Sequence, residues 1–512
     1  MGDWSSSFVV CFSVFFSSAL FLLLSRWRSS YRKLPPGPPG WPIIGNLLDL
    51  GHASHQTLTR LRDKYGDVIW LKLGALNTMV NVSTKAATEL FKNHDLAFAD
   101  RTLTVLMCVL QDFHKVSVAL APYGSYWRIM RRLVSTDMLT VRRINETVSV
   151  RRKCLDNMLM WIEEEARRKP GQAIHIARFV FLLGFNLSGN LMLSRDLVDP
   201  QSKEVSEFFE AVNRAMETLG YANMADYFPW LRWLDPQGLE KKMKKIQGQV
   251  IEIASNLVRE RIKEKKWAAG EERKKDFLDL LLEHRGNSKD ELDKLSDHEV
   301  TIFILEFFTA GGETTSSSIE WAMTELLRHP EVLTKAKAEL ADVVGPNRKL
   351  EEADIDSLPY LNAVVKETLR LHPPLPFLVP RKAIEDTNFM GYNIPKNTQV
   401  LVNVWATGRD PKMWDDPWSF KPERFLGLKT DYKGQNFELI PFGAGRRICA
   451  GLPLAHRMLH LVLGSLLHHF DWELENGITT ETVNMEDRLA VAMRKLQPLL
   501  AIPKITATTT ST

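Results

Sequence analysis

From Phe8 to Leu24, apolar residues and serines run on without a charge, and Arg26, Arg28, Arg32 and Lys33 follow at once. About 20 apolar residues span a bilayer, so residues 1–33 read as a short transmembrane helix with a basic flank, Trp4 and Trp27 standing at its ends. With Asp3 on the other side, the positive-inside rule puts the rest of the chain in the cytosol. A cleaved signal peptide would carry its charges before the apolar run and a small-residue site after it, the reverse of this order. Leu34-Pro35-Pro36-Gly37-Pro38-Pro39-Gly40-Trp41-Pro42 follows. Proline fixes φ and lacks an N–H, so residues 34–45 read as a stiff extended hinge. Beyond it helical periodicity dominates, as over Glu204–Thr218 and Pro330–Val344. Short strands such as Val68–Lys72 and Val400–Val404 interrupt it, and a Ser/Thr-rich tail, 505–512, closes the chain.

The strongest helical pattern opens at Ser296-Asp297-His298-Glu299, a capping box with Leu295 and Val300 placed as a hydrophobic staple. It runs to about Arg328, before His329-Pro330. Such a helix spans about 48 Å at 1.5 Å per residue, enough to cross a domain. Its stretch from Thr301 to Ala310 is almost wholly apolar, as in a buried helix. Gly311-Gly312 then costs about 1 kcal/mol per glycine against alanine, and the Thr314 hydroxyl is placed to bond the Ala310 carbonyl four residues back and bend the helix. Both point to a local opening. Glu306 is the one acid in the apolar stretch, and a buried carboxylate needs a partner or a proton. Two readings are open: a structural hydrogen bond to backbone above a pocket, or a polar contact with a substrate.

Composition adds bounds. The 512 residues are 45% hydrophobic and 25% charged with a net charge of +4, an ordinary globular balance whose small basic excess gives no reason to expect nucleic acid. Length alone suggests about three domains. Four widely spaced cysteines suggest no disulfide framework. Sequons occur at Asn81, Asn145 and Asn186, and a cytosolic chain would leave all three unmodified.

One of the cysteines sits in Pro441-Phe442-Gly443-Ala444-Gly445-Arg446-Arg447-Ile448-Cys449-Ala450-Gly451. A glycine-rich turn lets backbone N–H groups approach sulfur, and a nearby cation such as Arg447 lowers a thiol pKa, which is what a thiolate metal ligand needs. The string fits F-x-x-G-x-R-x-C-x-G at Phe442, Gly445, Arg447, Cys449 and Gly451. It resembles the haem-thiolate signature of the cytochrome P-450 superfamily. Ala310-Gly311-Gly312-Glu313-Thr314-Thr315 resembles that family's oxygen-activation motif, and the proline-rich segment its microsomal hinge. Phe437–Arg447 and Ile319–Met323 are similar to plant A-type members, most of all the group with geraniol hydroxylases and iridoid oxidases.

By that resemblance Cys449 is the axial ligand of haem b, with Phe442 beside it, and Thr314 and Glu313 serve oxygen activation and proton supply. Trp127, Arg131 and Arg447, with Arg101 and Arg381, hold the propionates. Glu367, Arg370 and Arg424 form a structural triad around the cysteine loop. The pocket is lined by Ala310, Phe307, Leu375, Leu378 and Val379, with the loop Leu103–Phe113 and Leu489–Met493. Arg128, Arg132, Arg142 and Arg143 are expected on the exposed proximal face where the family docks NADPH-cytochrome P-450 reductase; cytochrome b5 is a further expected partner, beside membrane lipid and a small lipophilic substrate. The landmarks run from Pro35 to Cys449, so the resemblance implies one mainly α domain with small β-sheets over residues 46–504, behind an endoplasmic-reticulum anchor. It implies an NADPH- and reductase-dependent monooxygenase of a terpenoid, monoterpenoid or iridoid. A reductase-independent haem-thiolate isomerase or dehydratase, and a detoxifying hydroxylase of xenobiotics, are the other readings.

Overall fold

The computed structural model of the chain describes residues 33–109, 112–199, 207–267, 275–285 and 294–505. The expected anchor up to Arg32, the tail from Thr506 and the first residues of the Glu204–Thr218 helix lie outside them; the rest of that helix is found as Glu207–Leu219.

Helices dominate. Those that frame the site are α1 (Ser125–Leu133), α2 (Ile176–Leu193), α3 (Leu239–Trp267), α4 (Asp297–Arg328), α5 (Pro359–Leu371) and α6 (Leu452–His469). Helix α4 starts at the expected capping box, the Ser296 side chain accepting from the Glu299 N–H while the Glu299 side chain accepts from the Ser296 N–H. Its residues 300–305 and 316–327 are buried, so it runs through the main core rather than over it. Among the described residues α2 alone is long and apolar enough to cross a membrane, yet it is a buried core helix laid across α4. The crossing is close: a Cβ on Gly184 would lie 3.0 Å from the Gly312 Cα.

A five-stranded sheet forms the second layer. Strands β1 (Val68–Leu73), β2 (Leu76–Asn81), β3 (Asp100–Arg101), β4 (Arg381–Lys382) and β5 (Gln399–Val402) stand in the order β1–β2–β5–β4–β3, with only β2 and β5 parallel. The expected strand over 400–404 stops at Val402 because Asn403 caps a helical turn, Val404–Thr407. Near the C-terminus β6 (Asp487–Leu489) and β7 (Met493–Lys495) make a hairpin against α4. The proline-rich segment is extended as expected, but it is docked rather than a free spacer. Pro36 accepts from the Trp70 N–H of β1 at 2.9 Å, and a Cβ on Gly37 would fall 1.9 Å from the Trp70 carbonyl oxygen. Two of the sequons are structural: Asn81 and Asn186 are buried, and the Asn186 side chain ties down the 197–198 loop with three hydrogen bonds.

Candidate functional site

The cysteine loop is built by glycine geometry. Gly443 and Gly445 take φ of 71° and 67°, a region other residues avoid. A Cβ on Gly445 would stand 2.6 Å from the Asp95 carboxylate, which accepts from Arg446 N at 2.9 Å, from its guanidinium at 3.0 Å and from Arg381 at 2.8 Å. The Cys449 N–H returns to the Phe442 carbonyl at 2.9 Å. The N–H groups of Gly451 and Leu452, at the start of α6, aim at the sulfur, an arrangement that favours negative charge. Cys449 is enclosed by the fold yet accessible, as are Ala310 and Gly311 halfway along the otherwise buried α4. Accessible surface at such positions is consistent with an internal space between loop and helix.

The electrostatics of the thiol differ from the sequence expectation. Arg447, placed two residues before it, turns away and donates to the carbonyls of Ala99, Val118 and Ala121 while stacking 4.2 Å over Trp127. The cation that acts on the sulfur is Arg131, from α1. Burial outweighs it and pushes the thiol up from its ordinary value; a bound metal cation would act in the opposite direction and favour the thiolate.

Strand pairing sets Arg101 opposite Arg381, and Arg447 joins them. Burial lowers all three guanidiniums, Arg447 to about 10, and mutual repulsion adds to it for Arg101 and Arg447. Arg101 donates to the Ala119 and Val379 carbonyls, and Arg381 to the Phe98 and Ala444 carbonyls besides Asp95. Buried cations held mainly by carbonyl oxygens are a place for anions. The Trp127 indole N–H is given to the Val118 carbonyl at 2.8 Å. That leaves the charged contacts to the arginines.

On α4 the Thr314 hydroxyl bonds the Ala310 carbonyl at 3.0 Å, and Thr315 bonds Gly311 at 2.8 Å. Glu313 is buried, which raises its pKa against the pull of Arg494. Of the two readings of Glu306 the structural one holds. Its oxygens accept from Ser117 Oγ and Val118 N at 2.8 Å and from Ala119 N at 2.6 Å, binding the loop that also carries Trp127's acceptor. The paired glycines divide their work: Gly312 faces α2, where its Cβ would meet Phe181 at 3.3 Å, while a Cβ on Gly311 would meet only Ser188 Oγ at 3.9 Å.

Leu375, Leu378 and Val379 are half-buried, and Leu378 reaches to within 3.6 Å of where a Gly443 Cβ would stand. Phe307 is half-buried, its ring edge-on against Phe277 at 5.8 Å. Leu106, in the loop expected to line the pocket, instead packs with Leu239 and Met243 of α3. The triad residues do meet. Arg370 binds Glu367 through two bonds of 2.7 Å, Arg424 adds one of 3.0 Å, and the remaining guanidinium N–H groups tie down the carbonyls of Gly408, Asp415, Asp416, Pro417 and Ser419. Arg128, Arg132 and Arg142 are exposed; Arg143 is half-buried, and it shares Glu146 with Arg142. Sequence reasoning missed Asp95 and Arg494, lone charged residues whose partners are far away in the chain.

Comparison with known proteins places this geometry. The cytochrome P450 family profile matches residues 35–500. Cytochrome P450 76A2 of Solanum melongena is 53% identical over 506 residues, covering 98% of this chain and 99% of that one. An iridoid oxidase of Catharanthus roseus is 51% identical over 497 residues, 95% of this chain and 96% of its own. Among solved structures, a zebra fish cytochrome P450 with progesterone aligns at a TM-score of 0.75 and 27% identity, over 88% of this chain and 99% of that one.

Proposed function

The chain belongs to the cytochrome P450 family, and from that premise we propose a membrane-anchored haem-thiolate monooxygenase that inserts one oxygen atom from O2 into a small terpenoid. The observation that carries the reading is the pairing of an accessible Cys449, ringed by N–H donors, with a surplus of buried guanidiniums nearby. A dianionic haem fits both. Cys449 would supply its thiolate ligand, and Arg101, Arg131, Arg381 and Arg447 would be its charged neighbours. When bound, haem with a thiolate ligand supplies the activation of O2.

The chain's own residues do the rest. Gly443 and Gly445 shape the turn that presents the sulfur, and the Gly451 and Leu452 N–H groups stabilise its negative charge. The Glu367–Arg370–Arg424 triad holds the segment 408–419 by its carbonyls, bracing the loop from behind. Thr314, back-bonded within α4, offers a hydroxyl oxygen beside the internal space, and Glu313 next to it can hold or pass a proton. Glu306 closes the space by fixing loop 117–119. Leu375, Leu378 and Val379 exclude water and suit an apolar substrate. Similarity to an iridoid oxidase favours a terpenoid.

Electrons would come from NADPH through the reductase, over a face that includes exposed Arg128 and Arg132. A membrane location is supported by one apolar edge. Trp41, Ile43 and Leu48 near the chain's entry are exposed, as are Trp230, Trp233 and Leu234. The two groups are linked through the β1–β2 turn, where Gly74 N bonds Ile44 O at 3.1 Å and Ala75 N bonds Tyr227 O at 2.8 Å. The test is turnover of a terpenoid panel in microsomes with a plant reductase, read by mass spectrometry. Product should require NADPH and O2, and Cys449→Ser should abolish both product and the Soret shift of the reduced carbon-monoxide complex. Activity retained by Cys449→Ser would overturn the assignment.

A further inference from the structure

Glu313 is held from outside its own helix. Its Oε1 meets Arg494 Nε at 2.9 Å, and the Ala492 N–H also donates to the carboxylate. Both groups come from the C-terminal hairpin, where Arg494 stands in register opposite Arg488, the other cation acting on Glu313. Helix α2, crossing at the same level, presents Phe181, Gly184 and Ser188, none of them charged. Arg488 is exposed, Arg494 half-buried and Glu313 buried, so charge leads inward from solvent to the carboxylate. Glu313 Oε2 is buried without a hydrogen-bond partner among the described residues. The hairpin is itself pinned, Ser317 Oγ bonding the Met493 carbonyl at 2.6 Å and Met493 N the Pro374 carbonyl at 2.7 Å.

We propose that the β6–β7 hairpin is the proton-entry face of the enzyme, with Arg494 the positioning residue that fixes the Glu313 carboxylate between solvent and pocket. This rests on the monooxygenase reading above. Burial disfavours a charged carboxylate, and a charge-assisted bond, roughly twice as strong as a neutral one, offsets part of that penalty. With Oε1 anchored by Arg494, Oε2 is the atom left to accept a proton from water on the hairpin side and return it to water on the Thr314 side. No other bond changes in the transfer. Without the guanidinium the acid would keep its proton, and the relay would stall.

The test uses the haem-loaded full chain in lipid, as wild type and as Arg494→Gln, Arg494→Lys, Arg488→Gln and Glu313→Gln. The infrared band of a protonated buried carboxyl, assigned by its loss in Glu313→Gln, is titrated with pH. In Arg494→Gln its midpoint should rise by about one pH unit, tenfold in the ionisation ratio. Arg488→Gln should move it less, and Arg494→Lys should restore most of it. In parallel, Arg494→Gln should divert NADPH from product to peroxide and enlarge the solvent deuterium isotope effect while substrate affinity holds. An unmoved midpoint in Arg494→Gln, or no rescue by lysine, would overturn the assignment. Failure of the wild type to oxidise any substrate would instead count against the monooxygenase reading, with the infrared titration still deciding the role of Arg494.

Discussion

Cys449, Glu313 and His460 are each ionisable and each enclosed, and in all three burial is the largest influence on the charge state. His460 shows the consequence most simply. Its Nδ1 is bonded to the His456 carbonyl at 2.7 Å, its Nε2 has no partner among the described residues, and burial brings its pKa to about 3. An unfolded histidine titrates near 6.5, so the folded state binds fewer protons below that value. Stability is therefore whole above about pH 6.5 and falls as pH drops toward the folded value. His460→Leu should flatten the decline of Tm between about pH 6.5 and 4, followed by circular dichroism; an unchanged slope would rule out His460 as the titrating group. Single residues were legible where a motif fixed their spacing, as for Cys449, Thr314 and the Glu367–Arg370 pair. The cation beside the thiol was not, since Arg131 reaches the sulfur from a different helix and Arg447 points elsewhere.

The elements were legible wherever a cap or a period spoke for them. The Ser296 box, the end of α4 at Arg328 and the helix Pro330–Val343 all stand within a residue of where the pattern puts them. How elements cross was hidden. Gly311 and Gly312 look alike in sequence, yet Gly312 is the one pressed against α2, its Cα 3.0 Å from where a Gly184 Cβ would stand, while a Cβ on Gly311 would meet only Ser188 Oγ at 3.9 Å. A methyl at Gly184 would press backbone against backbone, where nothing can rotate aside. Overpacking of this kind costs about 1–3 kcal/mol, so Gly184→Ala should lower Tm by several degrees while Gly311→Ala, with open space around it, should cost far less. Equal losses for the two substitutions, measured by thermal unfolding, would contradict this account of the crossing.

For the whole molecule, the apolar edge formed by Trp41, Ile43, Leu48, Trp230, Trp233 and Leu234 predicts a membrane contact made by the folded domain itself. Trp233 alone is 81% exposed, and a fully buried large apolar side chain gains about 1.5–3 kcal/mol. In a chain lacking residues 1–32, the double substitution Trp230→Ser and Trp233→Ser should weaken sedimentation with phospholipid vesicles by about tenfold or more. Undiminished binding would place the contact elsewhere. The sequence by itself determined the mainly helical class, the cysteine and its glycine turn, the capped helix with its Glu313–Thr314 pair, and the spacing of Glu367 and Arg370. Each is written within a few residues, where periodicity and backbone geometry act. Only the tertiary structure decided that Asp95 braces the cysteine loop 351 residues away, that Arg131 rather than Arg447 faces the sulfur, that Glu306 ties down a loop, and that a C-terminal hairpin holds Glu313. The partners in these contacts lie far apart in the chain, and only packing of the elements brings them together.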